Sequence, residues 1–159
     1  MHELPYLRLS AQQLAAPSEV EQQLISLTSS VGIKPESEAS GEQSLVLEIV
    51  DDTLQLTDLS VANSNGVTVD FLSGQSQYRR QHGGGGKEPV AKAIGIKANQ
   101  PHTVLDATPG LGRDAFVLAA LGARVIMIER SPVAYLLLAD GLRRLAQQEP
   151  ELARQFVLY

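Results

Sequence analysis

The chain has no cysteine. That excludes a disulfide scaffold and thiolate metal sites, and it fits a protein of the reducing cytoplasm. Histidine is nearly absent as well. His2, His82 and His102 are scattered, with no metal-ligand spacing, and they are too sparse for a Ser/His/Asp catalytic set. No bound metal is expected. No apolar run approaches the ~20 residues that a membrane-spanning helix needs. The start, Met1-His2-Glu3-Leu4-Pro5, has neither a basic nor an apolar leader segment, so no signal peptide and no membrane attachment are expected. Internal repeats and heptads are missing too.

What is present is an ordinary globular composition, 43% hydrophobic over 159 residues, enough for one domain and an appendage. The net charge of −5 is unevenly spread. Residues 1–70 hold eleven acids against two bases, Arg8 and Lys34. Residues 71–100 hold five bases (Arg79, Arg80, Lys87, Lys92, Lys97) against Glu88 alone. Residues 101–159 balance at six of each sign. A concentrated basic segment in an acidic chain can meet a polyanion, although a solvated surface has the same composition.

The first part of the chain reads as a small α+β unit over residues 1–74. Residues 4–9 suit a short strand. Ser18 with Glu21 forms a capping box, and Val20, Leu24 and Leu27 recur at helical spacing, which predicts a helix from Ser18 to Ser30. Residues 34–43 are a polar loop. Leu45–Val50 and Leu54–Leu59 read as strands joined by a hairpin at Asp51-Asp52-Thr53, and Val67–Leu72 as a third strand. Residues 75–100 form a basic connector. Four consecutive glycines, Gly83 to Gly86, exclude regular structure there. Pro89 opens a short helix that Gly95 closes.

From residue 101 the grammar becomes strand, turn, helix. Val104-Leu105-Asp106 is an apolar run ending in an acid. Gly110-Leu111-Gly112 is a tight turn, and Ala115–Leu121 an apolar helix closed by Gly122. Arg124–Glu129 reads as a second strand, buried on both faces by its continuous apolar run. Ser131-Pro132 caps a long helix to about Gln148, with Tyr135, Leu136, Leu138, Leu142 and Leu145 on its buried stripe. Phe156–Tyr159 starts a third strand. This is the opening of a Rossmann-like α/β domain, whose ligands sit at the carboxyl ends of parallel strands. The expected fold is that opening, a truncated Rossmann-like sheet, preceded by the α+β subdomain.

The turn needs glycines because a Cβ would keep a ligand from the backbone N–H groups at the helix start. Glu129, at the second strand's end, is placed to accept hydrogen bonds from ribose hydroxyls. Together these residues describe a site for an adenosine-containing ligand. Gly110-Leu-Gly112-Arg-Asp-Ala115 also satisfies G-x-G-x-x-G/A, so a nicotinamide dinucleotide is a rival. Two acids count against it. Asp106 precedes the first glycine by four residues, where it suits the ammonium of S-adenosylmethionine better than a pyrophosphate. Asp114 lies in the first helical turn, where it would repel a docked phosphate.

The run Asp-Ala-Thr-x-Gly-Leu-Gly-Arg-Asp-Ala-Phe-Val-Leu, Asp106 to Leu118, closely resembles the ribosomal RNA small subunit methyltransferase J family. So do Glu129-Arg130-Ser-Pro-Val, Asp140-Gly141-Leu142 and the glycine-rich run leading into Val90–Gly95. The resemblance is dense over residues 67–145 and weak over residues 1–60. It implies methyl transfer from S-adenosylmethionine to the exocyclic N2 of a guanosine in 16S ribosomal RNA. By resemblance, Arg113, Asp114, Glu129 and Arg130 join Asp106, Gly110 and Gly112 as cofactor-binding residues. Pro109 stands where the family commonly has alanine, and Gly86-Lys87 where it more usually has arginine-glycine.

The family's Asp-Pro-x-aromatic-Pro motif, which holds the target amino group while an aromatic stacks on the base, follows a fourth strand. No Asp-Pro occurs in this sequence. Catalytic residues are therefore expected beyond Tyr159, and the chain is expected to be an amino-terminal portion that is inactive alone. Arg79, Arg80 and Lys87, with His82 nearby, are the candidate RNA contacts on the small ribosomal subunit, against the alternative of a plain hinge. Two other functions stay open: an NAD(P)-dependent oxidoreductase, and a non-catalytic nucleotide- or RNA-binding module.

Overall fold

The computed structural model describes residues 4–38, 44–73, 89–96 and 101–159. Its contacts divide the chain into two units, Met1–Thr68 and Val69–Tyr159. Among the described residues, no helix is long and apolar enough to cross a membrane.

The first unit is built on a three-stranded sheet of order β1 (Tyr6–Arg8), β2 (Leu45–Val50), β3 (Thr53–Asp58). β2 and β3 form the expected hairpin, with Leu47 opposite Leu56. Asp51 and Asp52 both take positive φ, 47° and 58°. That is the geometry a two-residue hairpin requires for its turn to follow the strands' twist, and Asp tolerates it better than most residues. β1 runs parallel to β2, Leu7 against Leu47. Tyr6, Leu7, Val46, Leu47, Ile49 and Leu54 are buried with Leu24 of helix α2 (Glu19–Ser30) and Ile33. Ser18 caps α2 as its sequence predicts. The Ser18 hydroxyl accepts from the Glu21 N–H at 3.1 Å, and the Glu21 carboxylate accepts from the Ser18 N–H at 2.6 Å. The latter bond is the main reason why the Glu21 carboxyl titrates below its ordinary range. A second capping box, Ser10 with Gln13, starts a short helix α1 (Ala11–Ala15). The Gln13 amide also donates to Glu21 Oε1 and to the Ile49 carbonyl, at 2.8 and 2.9 Å, and ties α1 to its neighbours.

The strand expected over Val67–Leu72 is not one. Val67 pairs with Leu56 through a single bridge, and from Val69 on the residues belong to the second unit. The backbone there is engaged otherwise. The Val69 carbonyl accepts from the Arg144 guanidinium, and the Leu72 N–H donates to Asp70 Oδ1 at 2.9 Å. The alternation Val69, Phe71 is real, and both side chains are buried, but within the second unit and not in the sheet of the first.

The second unit contains helix α3 (Pro89–Ala93) and a parallel sheet of order β4 (Thr103–Asp106), β5 (Arg124–Met127), β6 (Phe156–Leu158). Register places Leu105 beside Ile126 and Ile126 beside Val157. Helix α4 (Arg113–Ala120) connects β4 to β5. Helix α5 (Pro132–Gln148) and the short α6 (Pro150–Ala153) connect β5 to β6. Gly95 and Gly122 close α3 and α4 at φ 73° and 89°. In each case the two paired backbone bonds of a Schellman motif are present: Ile96 N to Ala91 O with Gly95 N to Lys92 O, and Ala123 N to Leu118 O with Gly122 N to Ala119 O.

β5 departs from its expected burial on both faces. Val125 and Met127 are fully buried, together with Ala115–Ala119 of α4 and Leu136–Leu138 and Leu145 of α5. The alternate residues Ile126 and Val157 are half-buried, and Leu105 is 62% exposed. A continuous apolar run is permissive for two-sided burial without enforcing it. Strand periodicity still divides the run into two faces, and in the described residues only one is fully covered.

Candidate cofactor site

Seven of the residues singled out from the sequence come together at the carboxyl ends of β4 and β5. Asp106 is the last residue of β4, and its carbonyl accepts from the Ile128 N–H at 2.9 Å, just past the end of β5. One residue on, the Glu129 N–H donates to the Tyr159 carbonyl at 3.0 Å. Backbone bonding therefore sets the ends of all three strands side by side. Two acids stand on that edge, Asp106 and Glu129, both half-buried.

Each acid is held by a local bond. Asp106 Oδ1 accepts from the Thr108 N–H at 3.1 Å, which fixes the carboxylate as the chain leaves the strand. Glu129 Oε1 accepts from the Ser131 N–H at 2.7 Å. Ser131 is in turn the N-cap of α5, with Pro132 at the first helical position. The entry to α5 thus orients Glu129.

Between the acids along the chain lies the glycine turn. Gly110 has φ 54° and Gly112 has φ 73°. The Gly112 N–H donates back to Pro109 O at 2.8 Å, and Gly112 is the N-cap of α4 without any side-chain cap. The two glycines have different surroundings. A Cβ on Gly110 would meet nothing within 4 Å, so this glycine borders open space. A Cβ on Gly112 would lie 2.7 Å from Leu138 Cδ2 and 2.9 Å from Phe71 Cζ. Gly110 therefore keeps the outer side of the turn accessible, and Gly112 lets the turn sit on the core. Arg113 and Asp114 occupy the exposed first turn of α4, and Arg130 is exposed beside Glu129.

Arg79, Arg80 and Lys87, with His82, fall outside the described residues.

Two features of this unit escape a reading of the sequence. Asp140 lies on the buried side of α5 at 0% exposure. Its Oδ1 accepts from Arg143 at 2.7 Å, and its Oδ2 accepts from Arg144 Nε at 3.0 Å. Phe71 stacks on Phe116 of α4 and Phe156 of β6, with ring centroids 5.4 and 5.8 Å apart. The first has a readable signal: an acid within an apolar helical stripe, with arginines three and four residues on. Phe71 has none, because its partners lie far along the chain.

The cradle fits S-adenosylmethionine in the chemistry of its groups. An open glycine turn stands between one acid suited to an ammonium and another suited to a ribose diol, with a carboxylate at the helix start where a pyrophosphate would want none.

Comparison with known proteins agrees. Residues 31–157 match the family described as "Putative SAM-dependent methyltransferase". The chain is similar to the Ribosomal RNA small subunit methyltransferase J of Alteromonas mediterranea, 56% identical over 112 residues, covering 70% of this chain and 43% of that protein. The protein of the same name from Saccharophagus degradans is 66% identical over 76 residues, 48% of this chain and 28% of its own length. The crystal structure of a SAM-dependent methyltransferase from Neisseria gonorrhoeae superposes with a TM-score of 0.73 at 34% identity, over 98% of this chain and 59% of the other. The chain thus spans about two fifths of the curated relative from Alteromonas. The three parallel strands and their helices have the Rossmann-like arrangement of that fold, and the chain belongs to the SAM-dependent methyltransferase family, whose cofactor is S-adenosylmethionine.

Proposed function

We propose that this protein methylates small-subunit ribosomal RNA, with the exocyclic N2 of a guanosine in 16S RNA as acceptor. The observation that carries the reading is the pair of acids, Asp106 and Glu129, on either side of a glycine turn with an open outer face. The names of the relatives above support RNA of the small subunit as the substrate class. S-adenosylmethionine supplies a methyl group on a positively charged sulfur, open to attack by a nitrogen lone pair. The chain's own residues bind and orient. Asp106 offers a carboxylate to the ammonium, and Glu129 offers one to the ribose hydroxyls. Gly110 leaves the outer side of the turn approachable, Gly112 seats the turn on the core, and Arg113, Asp114 and Arg130 frame the opening. The site of action is the cytoplasm, where ribosomal RNA is found.

Calorimetric titration tests the cofactor half of this reading. S-adenosylhomocysteine is expected to bind and NADH is not. Glu129→Ala is expected to weaken S-adenosylhomocysteine by about tenfold or more, the worth of a hydrogen bond to a charged group. Binding of NADH alone would replace the reading with an oxidoreductase.

In the same reading, the residues up to Thr68 are a small accessory subdomain, and the basic segment over residues 75–100 is a connector. Arg79, Arg80 and Lys87 of that segment are the proposed contacts to the RNA backbone. Replacing Arg79 and Arg80 together by alanine is expected to lower RNA affinity and to reduce the slope of log affinity against log salt by about 1–2, one counterion or so per lost phosphate contact. An unchanged slope would remove the connector from the interface.

A further inference from the structure

The segment Val69–Phe71 stands more than thirty residues before β4, yet it is bound into the second unit at both of its ends. At one end the Arg144 guanidinium donates to the Val69 carbonyl and stands 3.7 Å from the Asp70 carboxylate. Arg144 is itself fixed by Asp140, which is buried and also held by Arg143. Gly141 makes the approach possible: a Cβ there would lie 2.9 Å from the Val69 carbonyl oxygen and 2.6 Å from Val69 Cγ1. At the other end the Phe71 ring lies between Phe116 and Phe156, with its Cζ against the face of Gly112 that has no room for a side chain. The ring thus forms a floor under the glycine turn at Gly112, whereas Gly110 borders open space.

We propose that Phe71 is a positioning residue for cofactor binding, pinned through Val69 by Arg144 and Asp140, and that it sets the conformation of Pro109–Arg113. This rests on the reading of that turn as the cofactor cradle. A glycine turn with φ of 54° and 73° has wide conformational freedom of its own, and the stacked ring with Leu138 restricts it. Preorganisation of this kind acts on affinity without any contact to the ligand.

The test uses Phe71→Ala and Phe71→Leu, each read in two ways at a temperature well below melting. The first readout is the Kd of S-adenosylhomocysteine. The second is amide hydrogen exchange of Gly112 and Arg113 in the ligand-free chain, compared with Val125–Met127 of β5. Phe71→Ala is expected to raise Kd about tenfold, equivalent to ~1.4 kcal/mol. It is also expected to speed exchange in the turn while β5 stays protected, and Phe71→Leu should recover most of both. If the alanine variant does not fold, the leucine variant carries the test, with the same two changes expected at smaller size. A purely structural role would lower the melting temperature but leave Kd and turn exchange at their wild-type values in the folded variant, and that result overturns the proposal. If the wild-type chain itself does not bind S-adenosylhomocysteine, the cofactor reading fails and the exchange comparison decides alone. Faster exchange confined to the turn then upholds the role of Phe71 in setting its conformation, and unchanged exchange overturns it.

Discussion

Gly112→Ala is expected to destabilise the second unit by about 3 kcal/mol, while Gly110→Ala costs only about 1 kcal/mol, although both glycines lie in one turn with positive φ. The backbone term is common to both, ~1–2 kcal/mol for a Cβ forced into the left-handed region. The difference is space. At Gly112 the new methyl would have to displace Leu138 and the Phe71 ring, and Phe71 cannot yield easily while stacked between two other rings. Overpacking of this kind adds ~1–3 kcal/mol. At Gly110 the methyl enters open space. For a unit of this size the Gly112 loss corresponds to a fall in melting temperature of about 15 °C. The Gly110 variant should stay folded, yet lose affinity for S-adenosylhomocysteine, because its methyl enters the open space that the proposed cofactor site assigns to the ligand. Thermal unfolding followed by circular dichroism, with a titration beside it, checks both. Equal destabilisation by the two substitutions would contradict the packing described around Gly112.

Asp140→Ala is expected to cost about 3 kcal/mol, at the low end of the range for breaking a buried charge pair. The carboxylate is fully buried and accepts from two guanidinium groups. Its removal leaves Arg143 and Arg144 without their shared anion, and frees Arg144 from the geometry in which it reaches the Val69 carbonyl. The low end applies because both arginine side chains retain some exposure, 18% each, and can recover part of their hydration. Arg143→Ala should cost less, about 1 kcal/mol, since Asp140 keeps Arg144. Urea unfolding of the three proteins would measure the order. A loss below about 1 kcal/mol for Asp140→Ala would mean that the cluster is far better solvated than its burial indicates.

Much of this fold is legible in the order of its residues, and the legible parts are local. Ser18 with Glu21, Asp51 with Asp52, and the closing glycines Gly95 and Gly122 each specify a conformation through groups a few residues apart, and each takes the form its residues imply. The strand–turn–helix from Val104 to Ala120 is of this kind as well, so the sequence alone places Asp106, Gly110, Gly112 and Glu129 at the strand ends. What escapes is set by distant partners. The alternation of Val67, Val69 and Phe71 is what a strand would show, but Arg144 takes the Val69 carbonyl and the aromatic cluster takes Phe71. The parallel pairing of β1 with β2 depends on a partner some forty residues on. α1 is hard to read for a different reason. It is five residues long and buries none of them, so periodicity has nothing to act on, and its one local signal is the capping box of Ser10 and Gln13.

The most direct measurement is an NMR titration of the isotopically labelled chain with S-adenosylhomocysteine. Saturable shifts are expected at the amides of Gly110, Gly112 and Arg113 and at Glu129 and Arg130, with the β2–β3 hairpin unmoved. Shifts elsewhere that leave those residues unaffected, or none at millimolar ligand, would contradict a cofactor site between Asp106 and Glu129.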